Sequence, residues 1–197
     1  DRMQHSHVTD LSADDEILDV ATSLRSGDTK KLPRHYANMY YNGKIGDLGI
    51  DLNADYLWNK SRSNVTVDGI SLTDGKSLIH SLGANRGRMF AEKLVLSYPV
   101  WNGTIEAGEE FVSSRFSSDY VTDAEIVDDA NTRVDENNIA GFIDFRQTFG
   151  RFNFGAGLRY EHVNFDYLEN GQKKENQSKT YNNLFPSFFM STTIDKV

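Results

Sequence analysis

The stretch Gly46-Asp47-Leu48-Gly49-Ile50-Asp51-Leu52-Asn53-Ala54-Asp55-Tyr56-Leu57-Trp58-Asn59 decides the fold. Apolar side chains alternate in it with polar or glycine positions, with Leu57 as the one apolar residue on the polar phase. The apolar phase consists of Leu48, Ile50, Leu52, Ala54, Tyr56 and Trp58. Because successive side chains of a strand point to opposite faces, the pattern predicts a strand with one apolar and one polar face.

The length of this strand favours a membrane over a soluble core. Leu48 and Trp58 are ten steps apart (58 − 48), or roughly 33 Å at about 3.3 Å per residue. With a tilt of about 40–45°, this covers roughly 25 Å, the height of the lipid-facing band of a transmembrane barrel. The apolar phase ends in Tyr56 and Trp58, residue types enriched at membrane interfaces. A half-buried strand of a soluble sandwich or lipocalin-like barrel remains the alternative.

Composition limits the function classes. The chain has 197 residues, 12% aromatic residues, no Cys and a formal net charge of −8. The aromatic content indicates an ordered protein, and the lack of Cys excludes disulfides and thiolate metal sites. The chain lacks clustered Lys and Arg, so no nucleic-acid partner is expected. The sequence has no apolar run of about 18 residues, so it predicts no transmembrane helix. Barrel strands alternate apolar and polar residues, so their average hydropathy stays low.

Further alternating segments and their connections give the fold class. A second clear strand runs from Phe152 to Tyr160. Tight turns are predicted near residues 46, 102 and 150, and long polar loops at about 10–33, 60–86, 117–137 and 169–180. Short turns alternating with long loops are typical of transmembrane barrels. We therefore predict an all-β, antiparallel up-and-down meander of about eight long strands, a section of a transmembrane β-barrel. The alternative interpretation is a soluble all-β protein with eight strands.

The predicted lipid-facing residues are the apolar phases of these two strands. They are Leu48, Ile50, Leu52, Ala54, Tyr56, Trp58, Phe152, Phe154, Leu158 and Tyr160. Glu109 conflicts with the pattern, because it lies on the apolar phase of its own strand, where an ionised lipid-facing side chain is costly. Either the phase shifts locally there or that strand faces another surface.

Candidate chemistry is sparse. His5 and His7 share one face of a strand but lack a third metal ligand nearby. The acidic segment 119–136 has carboxylates for Ca²⁺ but not the spacing of an EF-hand loop, so a solvated surface loop is preferred. Glu106 and Glu110, with Glu109, offer paired carboxylates for glycoside cleavage, but nothing in the sequence marks a pocket. We predict no catalytic, metal or cofactor site, and no enzyme.

Several motifs in order resemble one family. They are Gly46–Tyr56; Lys93-Leu94 with Tyr98-Pro99; Asn102-Gly103-Thr104-Ile105-Glu106-Ala107-Gly108; Glu136-Asn137-Asn138-Ile139-Ala140-Gly141-Phe142; Gly157-Leu158-Arg159-Tyr160-Glu161; and Tyr181 with Leu184-Phe185-Pro186-Ser187. This series, spanning about residues 35 to 190, resembles the outer-membrane β-barrel region of TonB-dependent-receptor-like proteins of the Bacteroidetes type.

The resemblance implies a location, partners and a function. Such a barrel has about 22 strands around an N-terminal plug, so residues 1–197 would form one segment of wall in the bacterial outer membrane, without plug domain or signal peptide. Expected partners are outer-membrane lipid, the remaining strands and plug of the parent chain, and an extracellular nutrient such as a glycan or siderophore. The segment alone is expected to self-associate through its strand edges. A soluble ligand-binding β protein and a surface adhesion module remain open.

Overall fold

The computed structural model describes residues 2–13, 16–71, 75–124 and 127–193. The strands are β1 (Arg2–Ala13), β2 (Glu16–Lys31), β3 (His35–Ile45), β4 (Leu48–Ser71), β5 (Gly75–Val100), β6 (Gly103–Thr122), β7 (Ala130–Phe149), β8 (Phe152–Glu169), β9 (Gln172–Lys173) and β10 (Lys179–Thr192). Every pairing between them is antiparallel, in one sheet of order β1-β2-β4-β5-β6-β7-β8-β10. None of the described residues forms a helix that could span a membrane.

The strands β2 and β3 act as one interrupted strand. Both pair with β4, β2 from Ser61 onward and β3 up to Trp58. Three residues, 32–34, therefore face two on β4, which is the arrangement of a β-bulge. Counting β2 with β3 as one, and setting aside the two-residue β9, the sheet contains eight long strands. The predicted all-β meander is thus confirmed.

Tight turns join the strands at one end of the sheet, which we call the turn end. Two-residue turns stand between the pairs Ile45–Leu48, Val100–Gly103 and Phe149–Phe152. The first residue of each turn has a positive φ, at 61° for Gly46, 54° for Trp101 and 59° for Gly150. Positive φ at this position matches the twist of the flanking strands, which is why glycine serves well there. The predicted turns near 46, 102 and 150 are confirmed.

The predicted long loops are wrong in extent, because strands occupy most of them. The strand β2 fills most of 10–33, and β4 and β5 continue through 60–86 apart from residues 72–74, which lie outside the described residues. In 117–137, β6 runs to Thr122 and β7 starts at Ala130; in 169–180, β9 and the start of β10 are strands. Backbone ladders with neighbouring strands hold these polar segments, so apolar alternation is not needed there.

The sheet does not enclose a core of its own. Among the described residues, Ala140 is the one buried hydrophobic residue, with 1% of its surface exposed. Large apolar side chains lie open instead, for example Phe188 at 73% and Tyr36 at 67% exposed. The strands β1 and β10 do not pair with each other, so the described sheet stays open. Both faces and both edges of the described sheet are therefore available for contact with other molecules.

Candidate functional site: the two faces of the sheet

The strand register places both predicted apolar sets on one face. Directly paired residues of antiparallel strands point to the same side, and the chain of pairs runs from Ile50 to Leu96, Ala107, Ile143 and Leu158. Hence Leu48, Ile50, Leu52, Ala54, Tyr56, Trp58, Phe152, Phe154, Leu158 and Tyr160 all share this side, which we call the apolar face. That the apolar face meets lipid stays a prediction.

Two carboxylates, Glu92 and Glu109, lie among the apolar side chains of this face. Glu109 pairs with Leu94 on one side and with Gly141 on the other, in a ladder without a register shift. The first explanation offered for Glu109, a local shift of phase, is therefore wrong. Glu92 shares the face, because it pairs with Ala54. Glu109 stands beside Gly141, where an added Cβ would meet nothing within 4 Å. The Glu109 side chain therefore has room to move along the surface.

The opposite side, which we call the polar face, carries a ladder of hydrogen bonds between β3 and β4. The Tyr36 hydroxyl donates to Asp55 over 2.7 Å, and the Tyr40 hydroxyl donates to Asp51 over 3.2 Å. The Asn38 amide donates to Asp55, and the Asn42 amide donates to Asp51. Each donor comes from β3 and each acceptor from β4, so the polar phase of the deciding stretch is satisfied by its hairpin partner.

A bridge of charges crosses the polar face further along the sheet. Arg159 on β8 reaches over β7 to Glu110 on β6 at 2.5 Å, and binds Glu161 on its own strand at 2.6 Å. Lys93 approaches Glu110 from the other side at 2.7 Å. Ala140 pairs with Glu110 and with Glu161, so it lies beneath this bridge, which accounts for its burial. The charges are matched, which suits a water-filled surface.

The carboxylates considered for glycoside cleavage are divided between the faces. Glu106 and Glu110 lie on the polar face and Glu109 on the apolar face. Glu106 stands 3.8 Å from Arg146, and Glu110 is held in the bridge described above. The described residues contain no group of three or more His, Asp or Glu side chains able to hold a metal ion, and His5 and His7 gain no third ligand there. Within segment 119–136, Glu125 lies outside the described residues.

The end of the sheet opposite the turns, which we call the outer end, is closed at β5–β6 by a reciprocal contact. The carboxylate of Asp123 accepts the backbone N–H of His80 over 2.6 Å and contacts the His80 ring Nδ1 at 3.0 Å. The backbone N–H of Asp123 donates back to the carbonyl of His80 over 3.1 Å. The hydrogen bonds from the His80 backbone and side chain lower the pKa of Asp123 below its ordinary value.

Sequence reasoning missed one group of residues entirely. Cations continue the apolar phase beyond Trp58, at Lys60 and Arg62 on β4 and at Arg86 and Arg88 on β5. These positions fall within the predicted loop 60–86, and a loop has no alternation of faces. The alternation Trp58-Asn59-Lys60-Ser61-Arg62 was the signal available in the sequence.

The family model described as "Outer membrane protein beta-barrel family" matches residues 43–197. Among solved structures, the chain is similar to the ferric citrate transporter FecA (12% identity, 90% of this chain, 34% of that chain, TM-score 0.49). It is also similar to the alcaligin outer membrane receptor FauA from Bordetella pertussis (13% identity, 98% of this chain, 33% of that chain, TM-score 0.43).

A third similar structure is the outer membrane protease OmpT from Escherichia coli (12% identity, 91% of this chain, 69% of that chain, TM-score 0.34). No curated protein sequence matches the chain. The chain spans about a third of the length of FecA and FauA. The family model, by contrast, covers most of this chain, and its type agrees with the observed meander of long antiparallel strands. The chain therefore belongs to the outer membrane protein β-barrel family of the bacterial outer membrane.

Proposed function

We propose that the chain forms part of the wall of a TonB-dependent receptor that takes up a nutrient across the outer membrane. The observation that carries the proposal is the open meander: eight long strands pair in order, yet β1 and β10 do not close on each other. A barrel of about eight strands would close around its own side chains, whereas larger barrels leave a lumen for water or a plug. A wall section of a larger barrel therefore fits better than a complete small barrel.

The two faces support distinct roles in such a wall. The apolar face carries the ten predicted lipid-facing residues and would meet the hydrocarbon. The polar face, with its Asn, Asp and Tyr ladder and the bridge at Glu110, would line the lumen and face the plug of the parent chain. Matched charges and amides keep that surface hydrated, which suits passage of a polar solute.

The order of sequence motifs refines the receptor class. Segments such as Gly46–Tyr56 and Gly157–Glu161 occur in the order and spacing of TonB-dependent-receptor-like barrels. In that class, nutrients such as glycans or siderophores are carried, and the outer end of the wall contributes to the mouth of the barrel. We expect no catalysis by this segment, because its carboxylates are separated or neutralised by cations.

The test uses the native host. Its outer membranes are isolated and probed with an antibody against this segment, with and without heating before electrophoresis. A heat-shifted band several times larger than 22.3 kDa, together with loss of uptake of one nutrient when the gene is deleted, supports the proposal. An outer-membrane band near 22 kDa that closes as a small barrel overturns it. Uptake that is unaffected by dissipating the proton gradient overturns the TonB-dependent class.

A further inference from the structure

Two glutamates, Glu92 and Glu109, lie in the apolar band, the part of the apolar face that meets hydrocarbon in the proposed wall. Glu109 stands six steps beyond Gly103, and Glu92 stands eight steps from Val100 (109 − 103, 100 − 92). Six and eight steps are roughly 20 and 26 Å along a strand, or about 14 and 19 Å of height at barrel tilt. Because the band is about 25 Å tall, both carboxylates lie within it, and Glu109 lies near its middle.

The chain supplies neither a cation nor a hydrogen-bond donor to these two carboxylates. Among the described residues, Glu92 and Glu109 form no ion pair and no side-chain hydrogen bond. Their nearest neighbours on the same face, across and along the strands, are apolar residues or glycine: Ala54, Phe90, Leu94, Ala107, Phe111 and Gly141. Glu110, one residue beyond Glu109 but on the polar face, is by contrast bound by Lys93 and Arg159.

An unpaired carboxylate at this depth points to a contact with another molecule. Hydrocarbon offers an ionised carboxylate no hydrogen bond and no counter-charge, so ionisable side chains at membrane depth are rare and usually functional. Glu109 pairs with Leu94, and Glu92 lies two residues from Leu94 on the same strand, so the two glutamates are diagonal neighbours. Diagonal neighbours stand about 7–8 Å apart, so one cationic side chain can contact both carboxylates.

The surface beside Glu109 has a notch. The neighbour of Glu109 on β7 is Gly141, where there is open space for at least a Cβ. The next residue in the same row is Tyr160 on β8, which is 47% exposed. Small residues at interfaces within membranes let another protein approach closely. A side chain from another molecule can therefore enter over Gly141, between Glu109 and Tyr160, and reach the carboxylate.

The depth of the two carboxylates restricts what can carry the missing cation. A free ion is too costly to place in hydrocarbon, and lipid headgroups stay at its boundaries, whereas a protein side chain can bring an ammonium or guanidinium group to this depth. A second copy of the same surface offers no such group. On the apolar face of β3 to β8, Lys and Arg first occur twelve steps from the turns, at Lys60, Arg88 and Arg115 (60 − 48, 100 − 88, 115 − 103).

We propose that the surface around Glu92 and Glu109 binds a different integral outer-membrane protein through a Lys or Arg side chain at the same depth. The partner's cation enters over Gly141 and contacts both carboxylates, and the surrounding apolar side chains pack against the partner's lipid-facing surface. Charge-assisted hydrogen bonds are strong where water is excluded. The inference goes beyond the proposed function and rests on it only in that the apolar face meets lipid.

The experiment uses the complete protein in the outer membrane of its native host, with the photoreactive amino acid p-benzoyl-phenylalanine in place of Ile143. Ile143 is exposed on the same face, two residues from Gly141. Irradiation is expected to give one discrete protein adduct, and its yield is expected to fall by about tenfold or more in E92Q/E109Q. The control E106Q/E136Q removes two glutamates from the polar face and is expected to leave the yield unchanged.

Charge exchange identifies the contact in the captured protein. Mass spectrometry locates the attachment point, and the Lys or Arg nearest to it in a membrane-spanning segment of the partner is replaced by Glu. That partner variant is expected to lose the adduct, and combining it with Glu109→Lys is expected to restore the adduct. If E92Q/E109Q does not insert into the membrane, Glu109→Gln is measured against Glu106→Gln with the same expectation.

Four results overturn the inference. They are an adduct whose yield does not change when Glu109 is neutralised, equal losses in E92Q/E109Q and E106Q/E136Q, an adduct between two copies of this chain, and an adduct that charge exchange does not restore. p-Benzoyl-phenylalanine in place of Leu52 separates the inference from the proposed function. Lipid adducts at both Leu52 and Ile143, with no protein adduct, overturn the protein contact alone, whereas no lipid adduct at Leu52 overturns the orientation of the wall.

Discussion

At the scale of single residues, the type of side chain at each position of the apolar face follows from what that side chain would meet outside the protein. Leu52 lies near the centre of that face and pairs with Leu94 and Tyr41, so its neighbours are apolar or aromatic on both sides. Asn53, one residue further on, points to the opposite side and accepts a hydrogen bond from Asn38 over 2.8 Å. These two adjacent positions therefore give a matched test of which face meets lipid.

Leu52→Arg is expected to destabilise the lipid-embedded barrel by about 2–4 kcal/mol, because a cation at the bilayer midplane loses its hydration. Asn53→Arg places the same charge on the polar face and is expected to cost far less. The measurement is denaturant unfolding in lipid vesicles, followed by tryptophan fluorescence. Equal unfolding midpoints for Leu52→Arg and the wild type, or a larger loss for Asn53→Arg, would contradict the proposed orientation.

At the scale of elements, the outer ends of the strands depend on polar contacts rather than on apolar packing. The end of β5–β6 is closed by Asp123, whose carboxylate holds the backbone N–H of His80 at 2.6 Å. The pKa of Asp123 lies below its ordinary value of 3.8 in the folded protein. A depressed carboxylate pKa stabilises the folded form fully above the unfolded pKa, and this contribution is lost as pH falls through the folded pKa.

The exchange protection of the His80 amide is therefore expected to fall as the pH drops below about 4, after correction for the intrinsic exchange rate. In Asp123→Asn the side-chain amide oxygen still accepts a hydrogen bond but does not titrate. The exchange protection of the His80 amide should therefore be weaker at neutral pH and should not change as the pH falls. Asp128→Asn is the control, because Asp128 has no hydrogen bond or ion pair within the described residues. A wild-type pH profile that matches that of Asp123→Asn would refute the role of this carboxylate.

At the scale of the whole molecule, the sequence predicted the part of the fold that lies in the apolar band and not the part beyond it. Alternation from Leu48 to Trp58 predicted a strand, its two faces and its hairpin turn, because a strand with one apolar and one polar face has a period of two. From Lys60 to Asn64 both faces of β4 carry polar or charged side chains, so apolar alternation does not mark these residues as a strand. Their strand conformation follows from pairing with β2 and β5, which are distant in sequence.

The candidate site shows the same division. The two predicted apolar sets, more than ninety residues apart (152 − 58), lie on one face because the register of five strands connects them. The cations that face each other across β4, β5 and β6 were not predicted, since these pairs depend on which residues stand opposite each other. No local spacing shows that Arg88 faces Arg115, because that pairing is fixed only once β5 and β6 form their ladder.

Two open edges make the behaviour of the isolated chain predictable. Among the described strands, β3 pairs only with β4 and β10 pairs only with β8, so the other edge of each strand is open. Exposed strand edges offer unpaired N–H and C=O groups to other chains, and both edge strands carry exposed aromatic side chains such as Tyr40 and Phe185. The 197-residue chain alone, in detergent, is therefore expected to sediment as species larger than its 22.3 kDa mass.

Charge at the edges should reduce this association, because edge lysines discourage strand pairing. Tyr40→Lys combined with Phe185→Lys places one cation on each edge strand and is expected to shift the sedimentation profile toward the monomer. Phe116→Lys combined with Tyr120→Lys adds the same charge to β6, in the middle of the sheet, and should leave the profile unchanged. A monomeric wild-type chain, or equal effects of the two double variants, would show that the strand edges do not drive association. The complete receptor proposed above, whose remaining strands would cover both edges, should sediment as a single barrel in the same detergent.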